Sequence, residues 1–393
     1  MPQTPDPDED DLATITPWPP VYYAEQALLG ALLSDPRRIA DATRIGPDAF
    51  STAAHAAVFT AIRALPAPAM GEVADYAAVF AARRGQSTPG LAEPTEHITW
   101  LSKVLTAARQ QARGLTAAHL HWLISACPDP GHTSAYVQII ESEHARRRLR
   151  TAAAHLIHTA RDASLPHRVS TTLAEADALA SVADDIAAAF PPHSGSLPRT
   201  PEPPPAFLHD SDEAAQEERL LLATGTVRPA EVEQMRWLAA EDFTQPLHAG
   251  LWQCLTALVR RHAPVDPVTV VWEAQQRGVL SAADDLRDLL AFLAEPDVSA
   301  PYLGERILHR SVLTTAHHVG RRIVAFTDDP VNTPYQLVVG SRRALAELTA
   351  IRTRWHHATM PTATTWSPRR TTRTAPRAGP PPTTAPPTSR IAR

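Results

Sequence analysis

The chain has 393 residues, a formal net charge of −5, 44% hydrophobic residues and two cysteines. That length accommodates two or three domains of ordinary size. Two widely separated thiols, Cys127 and Cys254, argue against a disulfide framework or a cysteine-rich zinc site. No run of about 18 apolar residues is present, so neither a transmembrane helix nor membrane contact is expected.

In chain order, residues 1–20 form an acidic head with Asp6, Asp8, Glu9, Asp10 and Asp11 and no basic residue. A secretory signal needs a basic start and an apolar core. The head is therefore expected to be disordered and the protein cytoplasmic. Residues 21–190 read as one helical domain. AEQALLGALLSDPRRIADA (24–42) is an apolar helix with an Asp-Pro stop. In DAFSTAAHAAVFTAIRAL (48–65), Val58, Ile62 and Leu65 step by four and three residues along one helix face. An insert at about 86–113 contains HITWLSKVLTAARQQA (97–112), an additional helix. Asp129-Pro130-Gly131 ends a helix and reverses the chain. Tyr136–Ala163 is then a helical stretch long enough for an antiparallel hairpin, and a final helix follows around Leu173–Ala189.

Residues 191–210 open with PPHSGSLPRTPEPPP and read as a proline-rich linker, because repeated proline cannot continue a helix. Residues 211–357 form a second domain. Residues 358–393 form a Thr/Pro/Arg-rich tail with too few apolar residues to order itself.

The second domain repeats the first. AEQALLGA (24–31) aligns with QEERLLLA (216–223) at an offset of 192. After a one-residue shift, Phe50, His55 and Phe59 fall on Phe243, His248 and Trp252 at 193. Arg84-Gly85 falls on Arg277-Gly278 at the same offset. Further on, Leu120, Leu123 and Tyr136 fall on Leu286, Leu289 and Tyr302 at 166, the difference being the insert. On this alignment the small Gly30 becomes Leu222. Tyr302–Thr327 and Leu337–Trp355 repeat the long stretch and the final helix, with Glu295-Pro296-Asp297 as the preceding turn. The recurrence of His55 and His248 suggests a structural hydrogen bond at a helix start. The fold class implied is all-α: two tandem helical-bundle domains, each with a long helical hairpin, joined by a Pro-rich linker and flanked by disordered ends. Strand signals are confined to short ambiguous pieces such as Val268–Val271.

These elements resemble the N-terminal domain of DnaB-type replicative helicases. The resemblance rests on residues 24–42, on the Phe-x4-His elements at 50–55 and 243–248, on VDPVTVVWEAQQRGVL (265–280), and on the tyrosine-led helix AYVQIIESEHARRRLRTAA (135–153). GEVADYAAV (71–79) departs from the Val-Asp-Pro start of the second copy. In that family the domain dimerises through helical hairpins, docks primase and precedes a RecA-like ATPase. The resemblance thus implies replicative helicase and/or primase as partners, and self-association through the hairpins.

The chemistry of a motor is missing. A phosphate loop needs G-x4-G-K-[ST], whereas the single lysine, Lys103, lies between Ser102 and Val104 in a helical run. No nucleophile elbow or His-Glu-x-x-His motif occurs, and His119/His121, His317/His318 and His356/His357 are spaced so that each pair diverges on its helix. No catalytic residue, cofactor or metal is expected. Candidate contacts for nucleic acid or an acidic partner are Arg146, Arg147, Arg148 and Arg150, with a solvated face paired to Glu141 and Glu143 as the plainer reading. In the tail, Trp366, Arg369, Arg370, Arg373 and Arg377 combine a stacking ring with phosphate-neutralising charge. The function expected is a non-catalytic adaptor or scaffold in DNA replication. The alternatives are an accessory protein binding DNA through its tail, or a decayed helicase relative.

Overall fold

Alanine- and leucine-rich segments capped by short polar residues become helices throughout. The first copy contains α1 (Pro20–Ser34), α2 (Ala53–Ala64), α3 (Pro94–Gln111), α4 (Ala117–Ala126), α5 (Thr133–Arg161) and α6 (Arg168–Ala189). The second contains α7 (Ser211–Val227), α8 (Pro229–Gln234), α9 (Pro246–Arg260), α10 (Pro267–Gln276), α11 (Leu286–Leu293), α12 (Ala300–Asp328) and α13 (Pro334–Thr359). This computed structural model describes residues 18–68, 94–192, 197–204, 211–281, 285–294 and 299–359, and no strand occurs among them. The acidic residues of the head, residues 71–79, Arg84-Gly85, the 295–297 turn, and Trp366 with the tail arginines lie outside the described residues.

Local chemistry sets the helix starts. Thr52 and Thr116 cap α2 and α4 by accepting from the backbone N–H of His55 and His119. Val268–Val271, ambiguous in sequence, is helical within α10. Asp266 accepts from the N–H groups of Val268 and Thr269, the Thr269 hydroxyl accepts from Asp266 N–H, and Pro267 occupies the first turn. Asp129 accepts from Gly131 N–H at 2.7 Å, forming the turn that leads into α5.

Two apolar cores result. One fills the head of the first copy, around Leu28, Leu32, Val58, Phe59, Leu123 and Ile140. The inserted α3 adds Trp100, Val104 and Ala108 to it at four-residue spacing. The other begins at Ala145, runs along the long helices and continues into the head of the second copy as far as Ile351. All of these residues belong to one compact unit ending at Ala358.

The long helices α5 and α12, each of 29 residues, form the most extensive helix–helix contact. They run antiparallel, with Gly320 against Ala153 and Ile157, and Asp328 against Arg150. Gly320 corresponds to Ala154 at the offset of 166, so the contact falls at nearly equivalent positions of the two long helices. α6 folds back on α5, and Arg342–Asp184 and Arg352–Asp177 ion pairs join α13 to α6. Arg322 bridges α12 to Glu347 of α13. The two copies therefore pair within the chain, each burying the apolar stripe of its long helix against the other.

Residues 197–204 of the proline-rich segment are not helical, and they lie against the second copy. Pro198 rests on Gly340, and Thr200 donates to Asp329 at 2.9 Å while accepting from Asn332 at 2.8 Å. Glu202 meets His318 at 2.8 Å and Arg322 at 3.4 Å. Residues 197–204 thus act as a strap across the α12–α13 hairpin.

Candidate interaction site

Each copy is organised around a buried glutamate that ties its first helix to its third segment. Glu25 of α1 is fully buried and accepts from Ser51 N–H at 2.7 Å and Ser51 Oγ–H at 2.8 Å. The oxygen that accepts from the Ser51 hydroxyl, Oε2, also lies 2.7 Å from His55 Nδ1. Glu218 of α7, also fully buried, accepts from Thr244 N–H at 2.6 Å, Thr244 Oγ1–H at 2.8 Å and Gln245 N–H at 3.3 Å, and lies 2.8 Å from His248 Nδ1. Glu218 is held below the ordinary carboxylate value, and an ionised carboxylate can only accept, so His248 Nδ1–H donates to it. Behind each knot two aromatic rings pack together, Phe50 with Phe59 and Phe243 with Trp252.

This geometry corrects the alignment of the first helix. Glu25 corresponds to Glu218, not Glu217, so the offset is 193 from the first helix through His248 and no shift is needed. Gly30 then corresponds to Ala223, not Leu222. A small residue is kept because α1 approaches α4 closely at Gly30, where a Cβ would strike the Leu123 carbonyl. The recurring histidines do make the structural bond expected of them. Their glutamate partners escaped the sequence reading, although the shared spacing of 30 residues from Glu to His was present in both copies.

The four arginines of α5 turn three ways: Arg146 and Arg150, one turn apart, both reach the C-terminal end of α12, while Arg147 and Arg148 meet other neighbours. Arg146 reaches across to the C-terminus of α12, donating to the carbonyls of Thr327 at 2.9 Å, Asp329 at 2.8 Å and Asn332 at 2.7 Å. It also pairs with Glu143 at 3.3 Å. Arg147 donates to the Ala49 carbonyl of its own head. Arg148 pairs with Asp185 at 2.8 Å, and Arg150 with Asp328 at 2.6 Å. Arg146 satisfies the open carbonyls at the end of α12 and places a cation at the negative end of its dipole. Replacing it with alanine is expected to destabilise the chain by about 1.5–3 kcal/mol, the range for hydrogen bonds to a charged group. Urea unfolding checks this, and an unchanged midpoint would show that the capping carries no stability. Burial pushes the thiols of both Cys127 and Cys254 up, which keeps them protonated and unreactive.

With these heads described, the comparison with known families becomes specific. The model of the DnaB-like helicase N terminal domain matches residues 19–142 and 211–303. The chain belongs to this family. Both glutamate–histidine knots lie inside the matched ranges, and both matches end a short way into the long helices, just beyond Tyr136 and Tyr302. The DnaB-type pattern is thus carried by the heads, twice in one chain. No curated protein and no solved structure matches the chain. No helix among the described residues is long and apolar enough to cross a membrane.

Proposed function

We propose that this chain is a non-catalytic scaffold in DNA replication that presents two paired helicase-type N-terminal domains to a replicative helicase, a primase, or both. The observation that carries this reading is the pairing of α5 with α12 inside one chain. In the family such domains pair through their hairpins, and here the two hairpins satisfy one another, leaving the heads as the surfaces on offer. The absence of a phosphate-loop sequence around Lys103 or elsewhere supports a role without nucleotide hydrolysis.

The test is co-elution of the purified chain with the replicative helicase and the primase of the same organism. A stoichiometric complex with either, together with no ATP hydrolysis by the chain alone, is the expected result. A chain that retains salt-sensitive single-stranded DNA but neither protein would overturn the scaffold reading. It would favour instead an accessory DNA-binding role for the arginine-rich tail.

A further inference from the structure

The two copies differ in charge where the first helix, the long helix and the last helix of the second copy meet. A cleft of about 420 Å³ opens there between α7, α12 and α13. Its aromatic walls are Tyr302, which is exposed, and Trp355, packed edge-on against His309. At the equivalent positions the first copy is apolar: Glu213 and Glu217 correspond to Pro20 and Ala24, and Glu305 and Arg306 to Ile139 and Ile140.

Glu213, Glu305 and Arg306 are exposed and Glu217 is buried, so the exchange places charge around the mouth of the cleft. Arg306 is shared between Glu213 and Glu217, and Arg310 between Glu217 and Glu218. Glu305, on the rim, is exposed and makes no ion pair among the described residues. Among the residues that line the cleft, the three carboxylates of Glu213, Glu217 and Glu305 face two guanidiniums and the imidazole of His309.

We infer that this cleft is a docking site for an arginine side chain of a partner peptide. The guanidinium of the incoming residue lies between the rim carboxylates Glu305 and Glu213, and its flat face stacks on Tyr302 and Trp355. Cations are drawn to aromatic faces, and arginine gains further from its planar, forked donors. A phosphate-bearing nucleic acid is repelled by the same carboxylates, and an apolar helix would leave them desolvated without partners. The site does not depend on the scaffold reading, since an arginine peptide can bind a chain that captures neither helicase nor primase.

The test uses the full chain and a fluorescein-labelled nonapeptide of glycine, serine and alanine with one central arginine, followed by anisotropy at low salt. Saturable binding is expected, and exchanging the arginine for citrulline, which keeps the shape and removes the charge, should weaken it by about tenfold or more. Glu305→Gln, at an exposed position, should weaken binding by about fivefold while leaving the thermal melt unchanged, and Tyr302→Ala, which also removes the bond between Tyr302 and Arg306, should weaken binding by a similar factor. Glu233→Gln, exposed elsewhere on the same copy, should have no effect. Equal binding of the citrulline peptide, indifference to Glu305→Gln, or no saturation at millimolar peptide would each overturn the inference.

Discussion

Replacing Glu218 with alanine should cost the chain about 3–5 kcal/mol, the usual penalty for removing one partner of a buried charged pair. The loss follows from what is left behind. The N–H groups of Thr244 and Gln245, the Thr244 hydroxyl and His248 Nδ1–H would all lose their acceptor in the interior. Arg310 would lose one of the two carboxylates it lies between. Against a total stability of about 5–15 kcal/mol, that change is enough to leave the second head partly unfolded at ambient temperature. Chemical denaturation followed by circular dichroism provides the measurement, and a loss below about 1 kcal/mol would show that the knot is incidental.

The same carboxylate predicts a pH dependence. Burial pushes Glu218 up, but the bonds from His248 and Thr244 outweigh it and hold the group below its ordinary value of 4.5. A carboxylate whose folded pKa is depressed contributes stability that is fully present above the unfolded value. That contribution fades as the pH falls below about 4.3 and through the folded pKa. Acid denaturation of the wild type should therefore be steeper in this range than that of Glu218→Gln, which has no proton to take up there. Parallel acid titrations of the two proteins would contradict the assignment.

How much of this was legible in the sequence depends on what each pattern constrains. The helices, the turns and the duplication could be read because apolar spacing, Asp-Pro stops and repeated aromatic residues are local signals. The register of the first helix could not be read the same way. Leu28, Leu29, Leu32 and Leu33 are buried on all sides, and so are Leu221 and Leu222, which leaves no polar face to set the phase. Glu217 and Glu218 stand side by side, so either could align with Glu25. Only the distant Thr244 and His248 decide between them.

The arginine run on α5 shows a related limit. Residues at 146, 147, 148 and 150 look like one patch in sequence, but about 100° per residue turns Arg147 and Arg148 away from Arg146 and Arg150, which share the distant end of α12 near Asp328. The linker was correctly read as non-helical. Its strap contacts depend on Asp329, Asn332 and His318, more than a hundred residues away, and no local pattern announces them.

The pairing of the copies can be tested at a single residue. Gly320 lies where α12 crosses α5, and a Cβ there would come 2.6 Å from Ile157 Cγ1 and 3.1 Å from the Ala153 carbonyl. Two effects compete in Gly320→Ala. Helix propensity favours alanine by about 1 kcal/mol, whereas overpacking costs about 1–3 kcal/mol. The small substitution should therefore be close to neutral or mildly harmful. In Gly320→Leu the propensity gain is no larger, but the added bulk has to push against the backbone of α5, and the long helices should separate with a large loss of stability. A lower melting temperature and an increased hydrodynamic radius are the expected signs. Trimming the opposing side chain in Gly320→Leu/Ile157→Ala should recover part of the loss, because neighbouring residues couple through the space they share. Strictly additive effects of the two substitutions would instead mean that Gly320 and Ile157 do not share a contact, and that the copies are held together elsewhere along the bundle.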